Sequence, residues 1–174
     1  MITTTLGPVV AWEFPEDAEA GKAAFLAHWD NPVETWVRAY AFTMSALAEA
    51  VIKANASAPQ HLYVDRSQCQ ENAEQAVLVR KVIAAGVEVT IGTSPAGAEF
   101  IAHSKSYFAA NGDCWEGSWN FSESASHQVN TAFQFNSPEW RTMMVSAFNR
   151  DVQYAWTNQR AAQLMSQPPA SFTS

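Results

Sequence analysis

The chain has 174 residues, 48% of them hydrophobic and 16% charged, which suits one globular domain with a substantial core and is too short for two comfortable ones. A net charge of −7 argues against a protein that coats nucleic acid through its overall field, while leaving room for a local basic groove. Cys69 and Cys114 lack CxxC spacing and read as free thiols, no stretch approaches the roughly 18 apolar residues of a membrane span, and no basic segment followed by an apolar run opens the chain, so the expectation is a cytoplasmic protein.

Val9 to Phe14 is a short apolar run stopped by Pro15 and predicts a first strand. Glu16, Asp17 and Glu19 then crowd the start of a helical pattern whose apolar face is Phe25, Leu26 and Trp29. Residues 36–42 alternate as a second strand, and Ser45 is placed as the N-cap of a helix running to Asn55. A third strand covers residues 61–65. Ala76, Val79, Val82 and Ile83 make the stripe of the clearest helix, 72–85, with Gly86 where a left-handed C-cap belongs and a strand at 87–91 directly after it.

Beyond this point the pattern changes. Residues 100–109 are extended, Asn111-Gly112 is a two-residue hairpin signal, and residues 114–120 return antiparallel. A polar loop at 122–128 leads to a last strand at 131–135. Ser137, Pro138 and Glu139 open a final helix expected to reach Ala162. The predicted organisation is an α/β domain over residues 1–166, a mixed sheet flanked by helices on both faces, with a flexible tail at 167–174.

The segment with chemical content is His103 to Ser122, HSKSYFAANGDCWEGSWNFS. Residues two apart in a strand point the same way, so His103 and Lys105 are expected on one face and Ser118 and Asn120 together on the returning strand. If the hairpin brings the pairs together, an imidazole, an ammonium, a hydroxyl and a carboxamide converge. That set suits a phosphate: Lys105 supplies charge, Ser118 and Asn120 neutral donors, and His103 a group able to attack or exchange protons near neutral pH. Trp115 and Trp119 flank the motif, either stacking on a base or packing inward. His28 and His61 read as core-edge residues, and Cys69, Cys114 and His127 lack zinc-ligand spacing.

His103-x-Lys105 followed by Gly117-Ser118-x-Asn120 resembles the signature of the phospholipase D superfamily, in the spacing of small bacterial endonucleases that carry one copy of the motif. YAFT at Tyr40 to Thr43 and VDRSQ at Val64 to Gln68 resemble that family too, so the likeness runs from about Val9 into the last helix. The resemblance implies a phospholipase D-like fold and a homodimer whose two motifs meet in one site. It further implies a metal-independent, cofactor-free phosphodiesterase, a nuclease before a lipase, working through a phosphohistidine on His103. Lys105, Asn120 and Ser118 would hold the phosphoryl oxygens, with Gly117, Gln128 and Asn130 lining the substrate.

The chain departs from the family pattern at two places. Ala110 stands where an Asp usually follows the Lys, and no acid occupies the region of Val129-Asn130, where the family commonly places a Glu that orients the histidine. Gln128 or Asn130 is expected to hold the imidazole instead. A catalytically weak homodimer that binds a phosphate ligand or a protein is the alternative reading.

Overall fold

The computed structural model describes residues 6–97 and 99–155. Seven strands form one sheet: β1 (Val9–Phe14), β2 (Thr35–Ala39), β3 (Gln60–Asp65), β4 (Glu88–Gly92), β5 (Lys105–Ala109), β6 (Asp113–Gly117) and β7 (Asn130–Asn136). Their spatial order is β1-β7-β6-β5-β2-β3-β4. The β2–β3 and β3–β4 pairs are parallel and the rest antiparallel. Among the described residues five α-helices pack on the sheet: α1 (Ala18–Ala27), α2 (Ser45–Asn55), α3 (Arg66–Glu71), α4 (Ala73–Ala84) and α5 (Pro138–Asp151). This is the mixed sheet with helices on both faces that the alternation of elements predicts.

Strand alternation builds two cores from the same strands. Val37, Leu62, Tyr107 and Trp115 point to one face and pack with α1, α2 and α4. Their neighbours Trp36, Tyr63, Phe108 and Cys114 point to the other and pack under α5 through Phe148. Phe25 of α1 is fully buried at the centre of the larger core, its ring 4.8 Å from that of Phe121 and 5.1 Å from that of Trp115. Truncating a ring so placed costs about 3–5 kcal/mol. Cys69 and Cys114 are buried free thiols.

Several boundaries differ from the sequence reading, each for a local reason. Ser45 is the first residue of α2 rather than its cap; Met44 holds the cap position, and the N–H groups of Thr43 and Met44 both donate to Phe121 O. A helix unanticipated in the sequence, α3, starts directly at the end of β3, because the Asp65 carboxylate caps it by accepting from Gln68 N at 3.2 Å. Its sequence, RSQCQE, buries only Cys69, so no apolar stripe announces it. Asn72 caps α4 in the same way, through Gln75 N at 3.1 Å. The last helix runs to Asp151 and passes into a turn of 3-10 helix to Tyr154; the expected end at Ala162 and the expected tail at 167–174 lie outside the described residues.

The two strands that carry the motif are shorter than expected. β5 begins at Lys105, not at residue 100, and β6 ends at Gly117, not at Asn120. Before Lys105 the chain is tied crosswise: Ala102 N–H donates to Asp65 Oδ2 at 2.7 Å, and Ser104 O accepts from Tyr40 N at 2.9 Å. Past Gly117 it turns to β7, Ser118 N donating to Thr131 O at 2.9 Å, and then to the end of β2, where Phe121 bridges Phe42. Among the described residues no helix is long and apolar enough to cross a membrane.

Candidate active site

The motif residues gather at one end of the sheet, where β2 and β3 finish and β5 begins. The β5–β6 register pairs Ser106 with Glu116 and Tyr107 with Trp115, which sets Lys105 level with Gly117. Directly opposed residues share a face, so strand geometry alone would put Ser118 and Asn120 on the face opposite to Lys105. The expected convergence by parity is therefore corrected. What carries residues 118–121 toward β2 is their departure from the ladder, not their place in it.

Lys105 is 3% exposed, yet ends in an ammonium that donates to His103 O at 2.6 Å and lies 5.1 Å from the centre of the Tyr40 ring. Burial pushes this ammonium down to about 8, against the upward pull of the Asp65 carboxylate. His103 is exposed, its ring 4.6 Å from that of Tyr40, and among the described residues neither of its ring nitrogens accepts or donates a hydrogen bond. Partial burial, and then the neighbouring ammonium, move its imidazole below the ordinary 6.5, while Asp65 opposes them. The shift favours the neutral form of the ring, whose lone pair can attack an electrophile.

The other candidates are placed less directly. Asn120 sits one residue before Phe121, which bridges Phe42 just past the end of β2, and among the described residues its buried Oδ1 has no hydrogen-bond partner. Ser118 is exposed and turned toward β7: its hydroxyl donates to Asn130 Oδ1 at 3.1 Å and accepts from Thr131 N at 3.0 Å. Asn130 uses its amide nitrogen on the loop, donating to Ala125 O at 3.0 Å, so its carboxamide closes the 122–130 loop rather than meeting His103. Gln128 is exposed at the end of that loop. Gly117 is needed for close approach: a Cβ there would lie 2.3 Å from Thr131 O and 2.7 Å from Ala132 Cα.

Trp115 and Trp119 are fully buried, and Trp119 stacks on Phe14 with ring centres 4.9 Å apart, so both pack inward and neither is available to a base. His28 lies on the far end of the sheet, bonded to Asp113 at 2.9 Å and Thr35 at 3.0 Å, and His61 sits between Glu34 and Glu88. Among the described residues no three His, Cys, Asp or Glu side chains are grouped to hold a metal ion.

Two residues outside the motif complete the site. Asp65, 1% exposed, acts on both His103 and Lys105 through its charge and on the His103 segment through Ala102 N. Tyr40 contacts both motif side chains. The YAFT and VDRSQ segments contain them, but no spacing in the sequence ties either to His103. On the α5 side, a cleft of about 150 Å³ runs past His103 between Arg38, Thr93, Ile101 and Asp151, with Arg38 donating to Asp151 at 2.7 Å.

The sheet order, the helices on both faces and the motif at the strand ends define the phospholipase D fold. Among solved structures, the chain is similar to Nuc from Salmonella typhimurium, a phospholipase D family member, with 17% identity and a TM-score of 0.75 over 86% of this chain and 96% of that one. It is similar to NucT from Helicobacter pylori, with 14% identity and a TM-score of 0.74 over 85% of this chain and 97% of that one. The same fold recurs in TrmBL2, an archaeal chromatin protein described as showing a novel mode of DNA binding, at 9% identity and a TM-score of 0.58 over 86% of this chain and 54% of that one. No family model matches the sequence, and no curated protein matches it.

Proposed function

We propose that the protein is a phosphodiesterase of the phospholipase D type, with nucleic acid the leading substrate, acting as a cytoplasmic homodimer. The observation that supports this best is the pairing of an exposed imidazole, free of hydrogen bonds among the described residues, with a buried ammonium directly beside it. A buried cation without a carboxylate bonded to it is costly, and an anionic ligand is the group that would offset the cost.

In the proposed reaction, His103 of one subunit attacks phosphorus. A nitrogen–phosphorus bond forms as the bond to the leaving oxygen breaks, and the second copy of His103 gives that oxygen its proton. The second imidazole, now neutral, takes a proton from water, whose oxygen displaces the first from phosphorus. Lys105 and Asn120 hold charge on the non-bridging oxygens through both steps. Ser118 and Gly117 shape the wall beside them.

The test is hydrolysis of single- and double-stranded DNA, RNA and bis(p-nitrophenyl) phosphate in excess EDTA, with His103→Ala alongside. Turnover that disappears in the variant is expected; equal rates in the two proteins would remove His103 from the mechanism. The second reading, a binding-only homodimer, is favoured by Val129, which is 88% exposed and stands in the region where a carboxylate would orient the histidine. Tight binding of the same nucleic acids with no cleavage would select it.

A further inference from the structure

We infer that Tyr40 is a positioning residue of this site, its ring setting the direction of the His103 imidazole and supporting the Lys105 ammonium at the same time. The inference rests on the reading of His103 and Lys105 as the reacting pair. It answers a question that reading leaves open, namely what orients the histidine when the 122–130 loop offers it no carboxylate.

The geometry is direct. The Tyr40 ring lies 4.6 Å from the His103 ring at an interplanar angle of 59° and 5.1 Å from Lys105 Nζ. An aromatic face attracts a cation, and more strongly where water is excluded, as around this 3% exposed lysine. The ring is itself held from three directions. Its hydroxyl accepts from Gln68 Nε2 at 2.9 Å, its carbonyl from Gln75 Nε2 at 3.3 Å, and its N–H donates to Ser104 O at 2.9 Å.

Those partners explain why the platform is rigid. Gln68 belongs to α3 and Gln75 to α4, and each helix starts on a side-chain cap, Asp65 and Asn72. Gln75 is fully buried and also accepts from Phe42 N at 2.7 Å, so it fixes the chain on both sides of Ala41. The bond to Ser104 ties Tyr40 to the residue between His103 and Lys105. Ring, backbone and helix caps thus form one connected support whose working surface is the Tyr40 face. Asp65 completes it from below through Ala102 N, and its charge is the acid that acts on both motif residues.

Full-length Tyr40→Leu and Tyr40→Phe, checked for native circular dichroism and cooperative melting, test the inference with two readouts. For bis(p-nitrophenyl) phosphate, Tyr40→Leu is expected to lower kcat by about tenfold with KM within about twofold, and Tyr40→Phe to stay within about threefold of the parent. The outer alkaline limb of the pH profile, set by Lys105 near pH 8, should move to lower pH in Tyr40→Leu alone, because the ammonium has lost the face that favours its charged form. Wild-type kcat and an unmoved alkaline limb in Tyr40→Leu would overturn the inference while leaving the proposed hydrolase intact. If the parent protein cleaves no phosphodiester, the proposed function fails, and the second readout still decides. The His103 ring protons, shifted by the Tyr40 ring current in NMR spectra, should return toward random-coil values in Tyr40→Leu and stay put in Tyr40→Phe. Unchanged shifts in Tyr40→Leu would overturn it.

Discussion

The carboxylate of Asp65 accepts the backbone N–H of Ala102 at 2.7 Å, so the end of β3 holds the segment that carries His103. The same carboxylate caps α3 through Gln68 N and accepts from Ser67 Oγ. One buried side chain thereby joins the site's chemistry to the fold that surrounds it.

Asp65→Ala is expected to destabilise the protein by about 1–3 kcal/mol, because the cap and the Ala102 partner are lost together in a buried setting. Asp65→Asn keeps an oxygen for the cap and removes the charge. In that variant the titration midpoints of His103 and Lys105 should both fall, since Asp65 raises each of them. Urea unfolding and an NMR titration measure the two effects separately; an unmoved His103 midpoint in Asp65→Asn would count against the electrostatic part.

The pH dependence of hydrolysis follows from the same two groups. In the proposed reaction one imidazole must be neutral and its counterpart protonated, so the rate should peak where His103 is half-protonated, below 6.5, and decline above that midpoint. The ammonium must be charged as well, so the decline should steepen as pH passes about 8. A decline that does not steepen by about pH 9 would mean that Lys105 keeps its proton there or is not needed.

Lys105 should cost the fold stability. Its value of about 8 in the folded protein lies below the ordinary 10.5, so between those limits the unfolded chain binds more protons and stability rises with pH. At pH 7 the buried charge is a net penalty. Lys105→Met retains the apolar stem and is expected to be more stable by on the order of 1–3 kcal/mol at pH 7, with the difference shrinking toward pH 10, while hydrolysis is lost. Denaturant titrations at the two pH values check the sign.

Gly117→Ala is expected to cost about 1–3 kcal/mol, because the added methyl meets backbone, not a side chain that could swing away. Relief would have to come from separating β6 from β7, which also moves Ser118 off Thr131. Thermal unfolding together with turnover should show both falling; an unchanged melting temperature would mean the strands part without cost.

The elements with a strong period were legible in the sequence. α4 shows its stripe at Ala76, Val79, Val82 and Ile83, and its cap and Gly86 close it at both ends. The His-x-Lys and Gly-Ser-x-Asn spacing singled out the candidate site because the residue types are chemically unusual together. The convergence expected from parity does not follow: the parity that relates His103 to Lys105 cannot extend across the hairpin to Ser118 and Asn120, given the register that pairs Tyr107 with Trp115. Trp115 and Trp119 show the same limit, since a tryptophan beside a motif looks alike whether it faces a ligand or Phe25.

The amino-acid order by itself determined the α/β class, the hairpin at Asn111-Gly112 and the chemical make-up of the motif, because period, turn chemistry and residue type are local properties. Only the tertiary structure decided that Tyr40 and Asp65 lie beside His103 and Lys105, that Gly117 serves strand approach, and that Asn130 closes a loop. Those roles depend on contacts between segments far apart in the chain: Tyr40 meets His103 across more than sixty positions. No periodicity in a one-dimensional string reports a distance set by the packing of a folded sheet.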